Sequence, residues 1–188
     1  MSIATAENGW INTADGQNLE VIARARHILG DTIYGTLSTS SPDGQPWASP
    51  VFFTYDADWN LYWASTMAAQ HSQNLYTNQG RAMMAVYNTI REEGKGQGIY
   101  LSGTAAEVTA EDVERVIPLL LQRAANGQRR SPADYLDASP RRLYRLQPKD
   151  VWITGERLAL SETILIDTKI KLDLASLIQG AEMTTDLQ

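Results

Sequence analysis

The segment Tyr34 to Asp56, YGTLSTSSPDGQPWASPVFFTYD, limits the folds open to this chain more than any other stretch. It predicts two strands joined by a tight turn at Ser41-Pro42-Asp43-Gly44, because Pro presets φ for one turn residue and Gly relieves the left-handed strain that follows Asp. Apolar side chains occupy both faces of the second strand: Trp47, Val51 and Phe53 on one, Ala48 and Phe52 on the other. We therefore expect this hairpin to be covered on both sides, as in a barrel wall that also meets a partner subunit. Pro50 has no N–H to donate, so its position should be a sheet edge or a bulge.

Composition narrows the class of protein and its partners. A length of 188 residues favours one domain over 1–188. The net charge of −6 argues against nucleic acid and anionic membranes as main partners. The N-terminal MSIATAENGW lacks the pattern of a signal peptide, and no stretch approaches the roughly 18 apolar residues of a membrane span. The chain has no Cys, which excludes thiol chemistry and fits a reducing compartment, so we expect a cytoplasmic protein.

Helical patterns flank a region of strand patterns. Residues 1–16 predict a flexible segment, and an apolar repeat predicts a helix over 17–30. Ser65-Thr66 would cap a short helix over about 69–77, and a helical segment follows over 109–127. Residues 160–188 form a C-terminal extension.

Strand patterns occur, besides the hairpin, at 61–65, 81–88, 99–108, 142–146 and 151–155. Gly103 in the middle of one of them indicates a bulge or a close backbone approach. The sequence therefore predicts a mainly β fold with peripheral helices.

Several kinds of site are poorly supported. His27 and His71 are the only two histidines and lack the spacing of metal ligands, so we expect no metal site. The run Gly94-Lys95-Gly96-Gln97-Gly98 precedes a strand and opens no helix, so it predicts a flexible connection and not a nucleotide loop. An arginine cluster favours a solvated face over an anion site. Its members are Arg129, Arg130, Arg141, Arg142 and Arg145.

One polar segment is a better candidate. Hydroxyl, amide and imidazole side chains crowd the point where a strand leads into a short helix: Ser65, Thr66, Gln70, His71 and Ser72. A helix N-terminus offers free N–H groups and partial positive charge, which suits a phosphate. Simple capping by Ser and Thr is the alternative interpretation.

The order of the motifs resembles the pyridoxamine 5'-phosphate oxidase-like family of FMN-binding split β-barrels. The matching segments are YGTLSTSSPDGQPWASPVFF, LYWAST, QHSQNL, RAMMAVYN and GIYLSGTAAEVT, with LYRLQPKDVWITG after them. They cover about residues 23–155. The resemblance implies a six-stranded antiparallel split β-barrel and a homodimer with FMN at the subunit interface.

The resemblance also implies positions for the cofactor. The strand beside the flavin matches Ser49, Pro50, Val51 and Phe52, and the phosphate segment matches Ala64, Ser65, Thr66, Gln70, His71 and Ser72. Gln97 would face the partner's flavin, and Trp152 would lie near the ring. Many members carry Arg-Lys in place of Gln70-His71 and Arg in place of Ser49. The Arg-x-His element of true pyridoxamine-phosphate oxidases is missing, so that activity is not assigned.

The resemblance favours an FMN-dependent oxidoreductase of unknown substrate, in which the flavin carries the electrons. No residue stands out as a general acid or base, and the catalytic residues are unknown. The alternative is a non-enzymatic barrel that binds or stores flavin, haem or another flat ligand. A relative that uses a deazaflavin is a third possibility.

Overall fold

The computed structural model describes residues 4–125 and 129–182, with side chains described up to residue 178. The helices are α1 (Leu19–Asp31), α2 (Gln70–Thr77), α3 (Ala110–Arg123) and α4 (Leu174–Glu182). The strands are β1 (Ile11–Asn12), β2 (Tyr34–Ser40), β3 (Pro46–Phe52), β4 (Thr54–Tyr55), β5 (Leu61–Thr66), β6 (Arg81–Tyr87), β7 (Gly98–Glu107), β8 (Arg141–Thr154), β9 (Leu158–Ala159), β10 (Leu165–Ile166) and β11 (Lys169–Leu172). No described helix is both long and apolar enough to cross a bilayer.

The prediction of a mainly β fold with peripheral helices is confirmed, whereas the strand count is corrected. The main sheet of the described chain has nine strands instead of six, and their pairing does not close a barrel. It is mixed because β1 pairs parallel with β11, while β11 pairs antiparallel with β8. The additional strands are β1 and β11, near the two ends of the chain, and β4, which is the separated end of the predicted second strand of the hairpin.

The described chain divides into two compact units. The hairpin unit comprises residues 33–85 and 102–149, and the terminal unit comprises 1–32, 86–101 and 150–188. Strands β6, β7 and β8 each contribute residues to both units. That the units form one domain stays a prediction.

The hairpin unit begins with the β2–β3 hairpin, which the structure confirms. Tyr34 lies opposite Phe52, and the turn closes with a hydrogen bond from the Gly44 N–H to the Ser41 carbonyl, 2.9 Å long. Gly44 has φ of +89°, a conformation that favours glycine. Strand β3 pairs only with β2 among the described strands, so Pro50 lies on an edge strand, as predicted.

The core of the hairpin unit lies between helix α3 and strands β5 and β8. Buried side chains of α3 pack on Tyr62 of β5, on Leu143 of β8 and on Tyr135 of the connection before β8: Val113, Val116, Ile117 and Leu120. A Cβ on Gly103 would lie 2.0 Å from the carbonyl oxygen of Gln147. The predicted close backbone approach at Gly103 is therefore confirmed, since only glycine fits there.

The terminal unit contains α1 and the strands of the two chain ends. Asn18 caps α1, because its side chain accepts from the N–H groups of Glu20 and Val21. Ile22, Ala25 and Leu29 are buried, which confirms the apolar face predicted for this helix.

Candidate functional site

His71 joins two of the segments that the family resemblance implies for a cofactor site. The side chain is 8% exposed and lies in the first turn of α2. Its Nδ1 lies 3.1 Å from Ser49 Oγ on β3, and its Nε2 lies 2.8 Å from Ser65 Oγ on β5. The imidazole therefore bridges the edge strand and the end of β5.

The surroundings of His71 favour the neutral imidazole. Burial lowers its pKa below the ordinary value, because the charged form loses hydration. A neutral ring has one N–H donor and one acceptor nitrogen. Ser49 Oγ accepts from the indole N–H of Trp47 at 3.0 Å. One consistent arrangement has Ser49 donating to Nδ1 and Nε2–H donating to Ser65.

Ser65 and Thr66 end a strand and do not cap the following helix. Both belong to β5, and the residue at the N-cap of α2 is Ala69, with no side-chain hydrogen bond. The Thr66 hydroxyl instead accepts from the N–H of Ala68 at 3.3 Å. The capping role predicted for Ser65-Thr66 is therefore wrong, because the chain turns for three more residues before α2 begins.

The other residues predicted for the phosphate segment, Ala64, Gln70 and Ser72, differ in burial and in hydrogen bonding. Ala64 is half-buried, and Ser72 is fully buried in the first turn of α2. The Gln70 amide donates to Asn74 Oδ1 at 2.9 Å. Asn74 in turn donates to Thr39 Oγ1 at 3.0 Å. The Gln70 side chain is thus hydrogen-bonded to another side chain of α2.

Two arginines of the predicted solvated cluster lie across from the phosphate segment. In the β5–β8 ladder Ser65 pairs with Arg142 and Thr66 pairs with Arg141. Directly opposed residues in antiparallel strands have neighbouring side chains. Arg142 is engaged by Glu107, at 3.4 Å from Nε to Oε2, and by backbone carbonyls. Arg141 is exposed, and the pairing places this member of the arginine cluster next to the phosphate segment.

A second group of hydrogen-bonded side chains, Tyr76, Tyr144 and Glu107, adjoins Trp63, which lies on the same face of β5 as Ser65. The Trp63 ring stacks on Tyr144 with a centroid distance of 5.6 Å. The Tyr76 hydroxyl lies 2.7 Å from that of Tyr144 and donates to Glu107 Oε1 at 2.6 Å. Burial, and then Glu107, raises the pKa of Tyr76 far above its usual range. Both phenols therefore stay protonated at physiological pH.

Strand β3 presents an accessible edge with aromatic side chains nearby. Trp47 on β3 is 48% exposed and Tyr34 on β2 is 57% exposed. Pro50 is exposed, whereas Val51 is buried and Phe52 packs partly against the core of the hairpin unit. The exposed residues of this edge strand are therefore open to solvent in the described structure.

The last two predicted residues belong to the terminal unit. Gln97 lines a cavity together with Arg24 of α1 and residues of the segments 154–157 and 167–169. Trp152 lies on β8 with the Lys171 Nζ 5.9 Å from its ring centre. The Trp152 indole N–H is buried and has no acceptor among the described residues. The assignment of all twelve residues to a cofactor site stays a prediction.

Comparisons with known proteins agree on the family and the fold. Residues 22–155 match the family model described as Pyridoxamine 5'-phosphate oxidase. No curated protein matches the chain. Similar solved structures include a protein of unknown function from Agrobacterium tumefaciens, with a TM-score of 0.62, 22% identity, and coverage of 76% of this chain and 60% of that one.

Two further structures are described as haem proteins. A heme binding protein from Mycobacterium smegmatis has a TM-score of 0.60 and 21% identity, and the match covers 84% of this chain and 60% of that one. The heme storage protein HutZ from Vibrio cholerae has a TM-score of 0.56 and 17% identity, and the match covers 68% of this chain and 89% of that one. The chain thus spans 60% of the length of the first two structures. At these identities the likeness concerns the fold alone.

Proposed function

Because the chain belongs to the pyridoxamine 5'-phosphate oxidase family, we propose that it is an FMN-binding, flavin-dependent oxidoreductase that works as a homodimer. The observation that carries this proposal is the hydrogen-bonded bridge Ser49–His71–Ser65. It ties the strand expected beside a flavin to the segment expected at the phosphate.

The hairpin unit offers suitable groups for a phosphate dianion. Thr66 and Arg141 face each other across the ladder, and both are exposed. Ser65 supplies a hydroxyl, and the first turn of α2 supplies N–H groups that an α-helix leaves without intrahelical acceptors. An arginine with hydroxyl and backbone donors is a common set for phosphate recognition, so these groups fit FMN without the Arg-Lys pair that many members carry.

FMN would supply the electron transfer, and the protein would bind and orient it. The free edge of β3, with Pro50 exposed and Trp47 half-exposed, would lie along the ring. The same exposed edge and its aromatic side chains support the homodimer, because a closed two-fold pairing is the commonest way to cover such a surface. The substrate stays open.

A haem-binding barrel is the second candidate, favoured by the two haem proteins of similar fold. Haem proteins commonly hold the iron through a histidine nitrogen. Both ring nitrogens of His71 are engaged by serines. His27, the other histidine, is exposed and pairs with Asp31 at 3.2 Å. These contacts favour flavin over haem.

Titration with FMN, followed by flavin fluorescence and absorption, tests the proposal. We expect saturable binding with a Kd in the micromolar range or below. Ser65→Asp should weaken binding by at least about tenfold, because it places a negative charge against the phosphate, while the thermal unfolding midpoint stays close to that of wild type. A protein that fails to bind FMN but takes up haem would support the second candidate.

A further inference from the structure

The terminal unit contains a cavity of about 760 Å³. It is lined by Arg24 of α1, by the 94–97 loop, and by the segments 154–157 and 167–169. The volume lies within the usual range of small-molecule sites. Four lining side chains are cations and two are carboxylates: Arg24, Lys95, Arg157 and Lys169, against Glu156 and Asp167. This positive excess is local, since the whole chain has a net charge of −6.

Arg157 is held with part of its guanidinium still available. Asp167 Oδ1 lies 2.7 Å from Arg157 Nε and fixes the side chain. The two terminal amino groups have no acceptor among the described residues. Gly94 has φ of +77°, and a Cβ there would lie 2.9 Å from Arg157 Nη1. The glycine in the 94–97 loop therefore leaves room for the guanidinium against the loop backbone.

Arg24 is a second donor with unused capacity. Its Nη2 donates to the Thr154 carbonyl at 3.1 Å. Its Nε is buried and has no hydrogen-bond partner within the described parts of the chain. A buried donor on a charged group is costly when unpaired, and an acceptor supplied by a ligand is one explanation for it.

Lys169 provides a third cation at the same cavity. Its Nζ lies 5.3 Å from the ring centre of Tyr100, which positions the ammonium by a cation–π contact. No carboxylate of the described residues pairs with Lys169. Its N–H groups are therefore available to an anion.

We propose that this cavity binds a phosphorylated small molecule through Arg24, Arg157 and Lys169. Guanidinium groups match phosphate oxygens as two-pronged donors, and a lysine adds a point charge. A free phosphate would fill only a small part of the volume, so the ligand carries an organic body as well. The proposed site is distinct from the flavin phosphate site, because none of the three cations belongs to the segment assigned to that phosphate. It shares with the predicted flavin site only Gln97, which lines this cavity.

Calorimetric titration of the Ser65→Asp variant with inorganic pyrophosphate tests this site, since that substitution blocks the proposed flavin phosphate position. We expect a Kd below about 1 mM. Arg157→Gln and Lys169→Gln, each in the Ser65→Asp background, should weaken binding by about tenfold or more, because each removes a charged donor. Lys149→Gln in the same background is the matched control, because Lys149 is exposed and does not line the cavity. It should change Kd by less than about twofold.

Three outcomes would overturn the proposal: no pyrophosphate binding to the Ser65→Asp protein, an equal loss in the Lys149→Gln control, or full affinity in both cavity variants. Thermal unfolding of each variant confirms that the fold is intact. ADP carries the same diphosphate on an organic body and should bind about tenfold more tightly than pyrophosphate. Equal affinities would contradict an organic ligand. A loss of FMN binding with pyrophosphate binding intact would refute the proposed function alone.

Discussion

The contacts of His71 predict that FMN binding strengthens as the pH falls. Burial lowers the pKa of His71 in the free protein, so the ring is neutral near pH 7. A phosphate dianion beside it would favour the imidazolium and raise that pKa. A group whose pKa is higher in the complex than in the free protein takes up a proton on binding. Affinity therefore rises as pH falls from about 8 toward 6.5, above the range near pH 6 where the phosphate itself is protonated.

The expected magnitude follows from the geometry. Nε2 lies 2.8 Å from Ser65 Oγ. A phosphate oxygen bonded to that hydroxyl would lie one hydrogen bond further on, about 5 Å from the ring. At an effective dielectric constant of about 20, a unit charge pair at that distance attracts by about 3 kcal/mol. The cost of protonating a buried imidazole offsets most of this, and helix N–H groups share the phosphate. We expect a net gain of about 1 kcal/mol, or about fivefold in Kd.

FMN titrations at several pH values on three proteins measure this effect. Wild type should bind about fivefold more tightly at pH 6.5 than at pH 8. His71→Lys carries a fixed charge, so it should bind more tightly above neutrality and show no such dependence. His71→Gln keeps hydrogen-bonding groups without a titrating site and should also be flat. If all three proteins have the same pH profile, His71 has no part in holding the phosphate.

Four further predictions concern single positions. Arg141→Gln should weaken FMN binding by about tenfold in fluorescence titrations, with no change for Lys149→Gln, because Arg141, unlike Lys149, lies opposite the phosphate segment. Gly103→Ala should lower the unfolding midpoint by several degrees in calorimetry, since its Cβ would overlap the Gln147 carbonyl. Without FMN, wild type should lose stability as pH falls below about 6.5, because the unfolded chain binds a proton that the buried imidazole resists, and His71→Gln should lose less over that range. Trp47→Asp should shift the sedimentation equilibrium toward monomer, because it charges the exposed edge; an unchanged dimer would place the interface elsewhere.

Local patterns in the sequence predicted the elements that depend on local physics. The Ser41–Gly44 turn predicted the hairpin, and the apolar repeat in 19–29 predicted helix α1. Gly103 indicated a close backbone approach because a missing side chain is visible in the sequence itself. Each of these features can be predicted from neighbouring residues, without knowing which distant residues pack against them.

Other features depend on register and on long-range packing, which the sequence does not display. The pairing of Thr66 with Arg141 becomes visible only once β5 and β8 are aligned. The bridge from His71 to Ser49 spans 22 residues. Nor did the short polar segment around Ile11 and Asn12 suggest a strand parallel to β11.

The comparison of FMN with riboflavin tests most directly whether Ser65 and the start of α2 hold a flavin phosphate. Riboflavin lacks the phosphate, so calorimetry on wild type should give FMN the tighter binding by about tenfold or more. In Ser65→Asp that difference should vanish, because the phosphate contact is lost while the ring contacts remain. If wild type binds the two flavins equally, or if Ser65→Asp keeps the full preference for FMN, the phosphate is not held by Ser65 and the start of α2.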